Sequence, residues 1–157
     1  MAYYQNQPPL GTMGMSFSVS GGNRNARNLP YDSDGEREWS KGICSCFDSF
    51  GTACLAFWCP CIAYSHNKSR VEYLEQKGAV HPDAGDTCTG DCCCYATLGL
   101  FGLGWILQLG TRAAVRTRYR IKGGGCSDCL AAWCCTCCEL TQESQELELE
   151  EQSLMGP

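Results

Sequence analysis

Catalytic machinery is what this chain lacks first. Its 157 residues hold two histidines, no HExxH helix, no glycine-rich phosphate loop and no nucleophile elbow. The usual constellations for metal-assisted hydrolysis, phosphoryl transfer and acyl transfer are therefore missing. The stretch GLFGLG has no strand–helix–strand context, so it does not read as a dinucleotide loop. His66 and His81 stand on polar segments and are read as solvated side chains. The chain is not expected to be an enzyme. Excess positive charge is also lacking: the formal net charge is −5 and the isoelectric point is near 5.0. That balance argues against nucleic acid as a partner. At the N-terminus, MAYYQNQPPLGTMGMS shows no basic stretch followed by an apolar one, so no secretory signal is expected and a reducing compartment is.

Two further absences divide the chain. No cysteine occurs before Cys44, and residues 1–38 are rich in Gly, Asn, Ser, Gln and Pro without a period of 2 or 3.6, which predicts a disordered segment. No charged residue occurs in residues 49–65 or in residues 92–111. The second run is twenty residues long, about 30 Å as one helix, enough to cross a hydrocarbon core. The first is shorter and contains Pro60, which can open a helix or kink one. A membrane hairpin of these two runs would keep both termini in the cytosol. The basic cluster Arg112, Arg116, Arg118, Arg120 and Lys122 would then face cytosolic headgroups. The competing reading of the longer run is a buried helix of a soluble domain.

What is abundant is cysteine. All fifteen lie between Cys44 and Cys138, in clusters: Cys44-x-Cys46, Cys54-x₄-Cys59-Pro60-Cys61, Cys88, Cys92-Cys93-Cys94, and Cys126-x₂-Cys129-x₄-Cys134-Cys135-x-Cys137-Cys138. In a reducing compartment such clusters point to soft metals, zinc or cadmium, sooner than to disulfides. A chain folded by metal alone carries few large apolar groups. This one interleaves its cysteines with Phe47, Phe57, Trp58, Tyr95, Phe101, Trp105 and Trp133. Each of these can bury about 150–250 Å², so the cysteines sit in a packed framework.

Spacing narrows the ligands. Residues three or four apart share a helix face, so Cys135 and Cys138 can chelate one ion, as can Cys126 and Cys129. Cys54 and Cys61, seven apart, also share a face. Cys59 and Cys61 can meet an ion only through irregular geometry at Pro60. The candidate metal ligands are therefore Cys54, Cys59, Cys61, Cys129, Cys135 and Cys138, and Cys59, Cys61, Cys135 and Cys138 can form a tetrahedral four-sulfur site. Cys92-Cys93-Cys94 beside the apolar run is a candidate for acylation or for burial. The glycines 123–125 end one helix, and residues 126–150 read as another, apolar first and acidic later. Leu140, Leu147 and Leu154 form a stripe suited to a local packing contact, and residues 149–157 are expected to be a disordered acidic tail.

Taken in order, Trp39-Ser-Lys-Gly42-Ile-Cys44-Ser-Cys46-Phe47, Cys54-x₄-Cys59-Pro60-Cys61, Arg118-Tyr119-Arg120-Ile121, Gly125, Asp128-Cys129 and Cys135-x₂-Cys138-x-Leu140-x-Gln142-Glu143 resemble the placenta-specific-eight cysteine-rich family. That family includes cornifelin, the plant cadmium-resistance proteins and the fruit-weight or cell-number regulators. The resemblance spans about residues 39 to 148. Ala53 stands where many members carry a second cysteine, and Gln145 where an arginine is frequent. The expected architecture is a small, mainly α, cysteine-rich helical domain at residues 39–148 with two apolar segments. The resemblance implies a membrane-associated protein of heavy-metal tolerance or growth control, at the plasma membrane with cytosolic termini. Its expected partners are metal ions, the membrane, further copies of itself and a protein bound through the acidic tail. Two short spans cannot enclose a path alone, so a transporter must assemble. The rivals are a soluble or nuclear interaction module with structural cysteines and, more distantly, a thiol redox sensor.

Overall fold

The computed structural model describes residues 21–156; residues 1–20, the greater part of the segment expected to be disordered, and Pro157 lie outside the described residues. Within them the chain is mainly helical, as expected. A 3-10 segment, Ile43–Ser49, leads into α1 (Phe50–Trp58), α2 (Pro60–Lys77), α3 (Gly90–Leu100), α4 (Gly104–Tyr119), α5 (Gly125–Cys134) and α6 (Thr136–Met155). The one β feature among the described residues is a parallel bridge between Arg37 and Ile121.

The helices form three pairs, each broken at a sharp joint. Cys59 separates α1 from α2 with φ −135° and ψ 65°, and Pro60 opens α2 at a position where its missing N–H costs nothing. The two helices turn by 117° there. Cys135 separates α5 from α6 with nearly the same dihedrals, φ −137° and ψ 52°. Between α3 and α4 the turn is made at Gly102, whose φ of +69° suits glycine, while the amides of Phe101 and Leu103 both donate to the Leu98 carbonyl. Residues 92–111 are thus two helices and not one twenty-residue span, and residues 126–150 are likewise two. Neither break carries a proline in its own helix interior, which is why apolar continuity concealed them. Among the described residues no single helix is long and apolar enough to cross a membrane; only the bent pair Ile43–Trp58 and Pro60–Lys77 passes on length and composition.

Helices α2, α4 and α6 run parallel. On α2, Asn67 donates to the Leu140 carbonyl at 2.8 Å, and Arg70 donates to Ser144 at 3.0 Å and to Glu151 at 2.6 and 2.8 Å. On α4, Arg112 reaches Gln142 at 3.1 Å and Arg118 reaches Glu150 at 2.7 and 2.9 Å. Contacts therefore climb together along all three helices, and the three joints that precede them share one end of the bundle. Two apolar clusters fill the interior. Ala56, Ala63, Tyr64, Tyr95 and Leu140 lie toward the joints, and Val71, Leu74, Val115, Tyr119, Ile121 and Leu147 lie toward the other end. Leu140 and Leu147 are fully buried and Leu154 packs on the second cluster, so the leucine stripe is a local packing contact.

Two boundaries drawn from composition are not visible in the structure. Helix α6 continues through the supposed tail to Met155, with Glu150 and Glu151 buried. Residues 21–40, all but the last two inside the segment read as disordered, lie along α6. Gly22 donates to Glu150 at 3.0 Å, and a side chain at Gly22 would meet the Glu150 carbonyl. Arg37 is buried and donates to Ser40, to the Arg24 and Glu38 carbonyls and to Glu146 at 3.2 Å, while the Ser40 amide donates to the same carboxylate. Low hydrophobicity here reflects burial by ion pairs and hydrogen bonds instead of by apolar area.

Candidate functional site

The shared end of the three joints is the distinctive surface. It carries Phe57 and Trp58 before Cys59, Leu100, Phe101 and Leu103 at the second turn, and Leu130 and Trp133 before Cys135, all exposed. Trp58 is 77% exposed, Leu100 86% and Trp133 68%, far beyond a scattering of single apolar residues. Residues 49–65, 92–111 and 129–138 supply this end without one charged side chain. The ion pairs Arg70–Glu151, Arg118–Glu150 and Arg37–Glu146 all lie toward the opposite end.

The thiols belong largely to the same surface. All fifteen are free; Cys44, Cys88, Cys93, Cys94, Cys126, Cys134 and Cys135 are exposed, and Cys46 alone is buried. Cysteine used as a small hydrophobe is among the most buried residue types, so packing does not account for this set. Of the candidate ligands, Cys54 is half-buried on α1, Cys59 forms the first joint and Cys61 lies in the first turn of α2. Cys129 is half-buried on α5, Cys135 forms the third joint and Cys138 lies in the first turn of α6.

These six are not gathered into one cage. Cys138 Sγ lies 3.4 Å from Cys46 and 3.9 Å from Cys137, while Cys61 interacts with Cys92. Among the described residues, no group of three or more His, Cys, Asp or Glu is placed to hold a metal ion. The four-sulfur arrangement of Cys59, Cys61, Cys135 and Cys138 is therefore not assembled in the single chain. What the fold provides is thiol pairs, and Cys46, Cys92 and Cys137 join them from outside the candidate set. No spacing rule finds Cys46 and Cys138, ninety-two positions apart. Burial, and then Cys61, pushes the Cys92 thiol up to about 11; burial, and then Cys46, pushes Cys138 up to about 12. Both thiols are protonated at neutral pH, so an arriving metal must displace protons from them, and they make poor low-pKa redox sensors.

Three of the five basic residues are spent inside the fold, while Arg120 and Lys122 are exposed. Arg112 donates to Asp128 at 3.1 Å and stacks 4.3 Å over the Trp39 ring, Arg116 pairs with Asp128 at 2.8 Å, and Arg118 is clamped on Glu150. The acidic run is likewise turned inward: Glu139, Glu143, Glu146, Glu150 and Glu151 are buried, and Glu148 is exposed. Neither histidine joins a thiol group. His81 accepts from the Gly85 amide at 3.2 Å and packs on Tyr73, which organises the loop between α2 and α3.

A helical, cysteine-bearing domain with one uncharged aromatic end is the class of protein so defined. Residues 39–146 match the PLAC8 family, and the chain belongs to that family. Protein PLANT CADMIUM RESISTANCE 2 of Arabidopsis thaliana is 35% identical over 125 residues, covering 78% of this chain and 75% of that protein. Cell number regulator 11 of Zea mays is 32% identical over 111 residues, 71% of this chain and 63% of that protein. Cell number regulator 10 of Zea mays is 36% identical over 112 residues, 71% of this chain and 65% of that protein. The chain thus spans a little under two thirds of these two regulators. No solved structure matches. The relatives bear the names of resistance and regulator proteins, not of enzymes.

Proposed function

We propose that this chain is a non-enzymatic, membrane-associated protein that binds soft divalent metals, zinc or cadmium, and confers heavy-metal tolerance by holding or exporting them. The observation that carries the reading is the joining of exposed aromatic side chains and exposed thiols at one uncharged end of the bundle. Each such aromatic contributes about 1.5–3 kcal/mol when removed from water, so the end is suited to sink into the apolar boundary of a bilayer. The thiols would then collect at the membrane surface. Because a soft tetrahedral ion takes four ligands, the pairs formed by Cys61 with Cys92 and by Cys138 with Cys46 leave positions for a second copy to fill. Assembly of several copies is accordingly part of the reading, as is a cytosolic position for both termini at the plasma membrane. The names of the cadmium-resistance relatives support the metal.

The deciding experiment expresses the chain in a cadmium-sensitive cell, beside the double variant Cys59→Ser, Cys61→Ser. Tolerance should be conferred by the parent and lost in the variant at equal protein level, with the parent resisting a carbonate wash of the membranes. Full release by carbonate removes the membrane, and unchanged tolerance in the variant removes the first joint from the metal path. A second reading, an interaction module of growth control with structural cysteines, is favoured by the thiols falling in pairs and by the cell number regulators among the relatives. It predicts that the cysteine variants change folding and leave metal tolerance untouched.

A further inference from the structure

Helix α3 packs on α2 and α4 and, among the described residues, against no other helix, so one side of it has no partner. Tyr95 shows which side that is. Its ring is buried and stacked on Tyr64, and Cys92, three residues earlier, turns the same way to interact with Cys61. The opposite side therefore carries Cys93, Thr97 and Leu100, at i, i+4 and i+7, with Cys94 and Phe101 beside them. All five are exposed.

This outer side is zoned. At its start Asp91 pairs with Lys68 at 2.5 Å, and both side chains are partly open to water. From Cys92 to Leu103 no charged residue follows. The Thr97 hydroxyl donates back to the Cys93 carbonyl at 2.8 Å, so it needs no water. Leu100 and Phe101, 86% and 74% exposed, close the side and join the uncharged aromatic end. Cys93 and Cys94 thus stand between the ion pair and the apolar tip, about 10 Å of helix from Leu100. An apolar surface of this kind sinks roughly 5–10 Å into a bilayer, which sets both thiols at the boundary of headgroup and chain. Cys88 lies instead in the charged loop between Asp86 and Asp91, and Cys134 and Cys135 lie at the tip itself. We propose that Cys93 and Cys94 are sites of S-acylation by a long-chain acyl thioester, the attached chain running along the outer side of α3 past Leu100 and Phe101. The thiol sulfur attacks the carbonyl carbon of an acyl-coenzyme A and forms a new thioester. The bond to the coenzyme's sulfur breaks, the coenzyme leaves as a thiol with the proton, and nothing is oxidised or reduced. Cys92 is withheld by its turn toward Cys61. One acyl chain holds a membrane only marginally and needs a second signal, which the aromatic end supplies. The placement at the boundary rests on the membrane reading proposed above; the exposure of the two thiols does not.

The test expresses the full chain in cells fed an alkyne-tagged palmitate and reads the tag on the purified protein before and after neutral hydroxylamine, which cleaves thioesters. A hydroxylamine-labile tag is expected, lost in Cys93→Ser, Cys94→Ser and retained in Cys92→Ser and in Cys126→Ser, Cys134→Ser. Mass spectrometry of the peptide holding residues 92–94 places the chain without any variant. The double variant should keep the parent's helix content, since both side chains are exposed. A parent without the tag overturns the proposal, as does a tag that persists in the folded double variant. Binding of the hydroxylamine-treated parent to vesicles of phosphatidylcholine and phosphatidylserine reads the aromatic end alone. Vesicle binding by a chain that never carried the tag sinks the acylation only. A tagged chain that neither binds vesicles nor stays with membranes sinks the membrane reading only.

Discussion

Ending the chain at Glu148 should unfold it, although composition marks the removed residues as a tail. The cut deletes Glu150, which accepts two bonds from Arg118 at 2.7 and 2.9 Å, one from the Tyr119 hydroxyl at 2.6 Å and one from the Gly22 amide at 3.0 Å. It also deletes Glu151, the partner of Arg70 at 2.6 and 2.8 Å. The side chain of Arg118 is 5% exposed and that of Arg70 10%, so two guanidiniums would be left unpaired away from water. Breaking one buried pair from one side costs about 3–5 kcal/mol, and a domain of this size has roughly 5–15 kcal/mol in all. Two such losses consume most of that margin. The graded version is Glu150→Gln, which keeps the shape and some hydrogen bonds but leaves Arg118 uncompensated. A loss of about 3 kcal/mol, with a urea slope of about 2 kcal/mol per molar, lowers the unfolding midpoint by roughly 1.5 M. Helical circular dichroism against urea measures both, since α6 packs on α1, α2, α4 and α5. A truncated chain that unfolds at the parent's midpoint would refute the reasoning, and α6 would then have to be stable without about its last two turns.

Other outcomes follow from the same structure. Burial raises Glu139 to about 7 from an ordinary value of 4.5, so the folded state holds its proton the more tightly. That contribution, on the order of 3 kcal/mol, is full below about pH 4.5 and lost as pH rises through about 7. The thermal midpoint should fall between pH 5 and 8, and Glu139→Gln should flatten the fall; an unchanged slope counts against the burial argument. Exposed Cys93 and Cys134 should react with iodoacetamide before Cys92 and Cys138, whose thiols burial holds up at about 11 and 12. Mass spectrometry of a time course reads the order, and the reverse order contradicts the placement. Phe57→Ser with Phe101→Ser should cut partition into lipid vesicles by tenfold or more without changing helix content; undiminished partition means that another surface meets the lipid.

The helical class was legible in the sequence, as were Pro60 as a helix start and the leucine stripe on α6. These are local signals, each fixed within a few residues. The joints at Cys59 and Cys135 were not, because an unbroken apolar run reads the same whether the helix continues or turns. Charge misled for a related reason. A run of glutamates reads as solvated unless the arginines that neutralise it are known, and Arg37, Arg70 and Arg118 come from three distant parts of the chain. The candidate thiols were found by type and cluster. Their pairing was hidden because it depends on which helices lie side by side. Glu139 and Glu143 carried a faint signal: carboxylates four apart, flanking Leu140, on a face that must turn inward.

The order of the elements along the chain has a consequence for its birth. Helix α6, the last described element, is the one against which the 3-10 segment and α1, α2, α4 and α5 all pack, and its carboxylates neutralise Arg37, Arg70 and Arg118. A nascent chain grows from the N-terminus at about 5–20 residues per second. Until α6 emerges from the ribosome, three arginines destined for the interior, and the faces of α1, α2, α4 and α5 that pack on α6, are open to the surroundings. Helices α1 to α5 can pair with one another as they appear, but the shared core closes only when α6 packs on them. During that interval the half-made protein shows core faces beside the aromatic end that it keeps exposed for good, and lipid or chaperone can meet both.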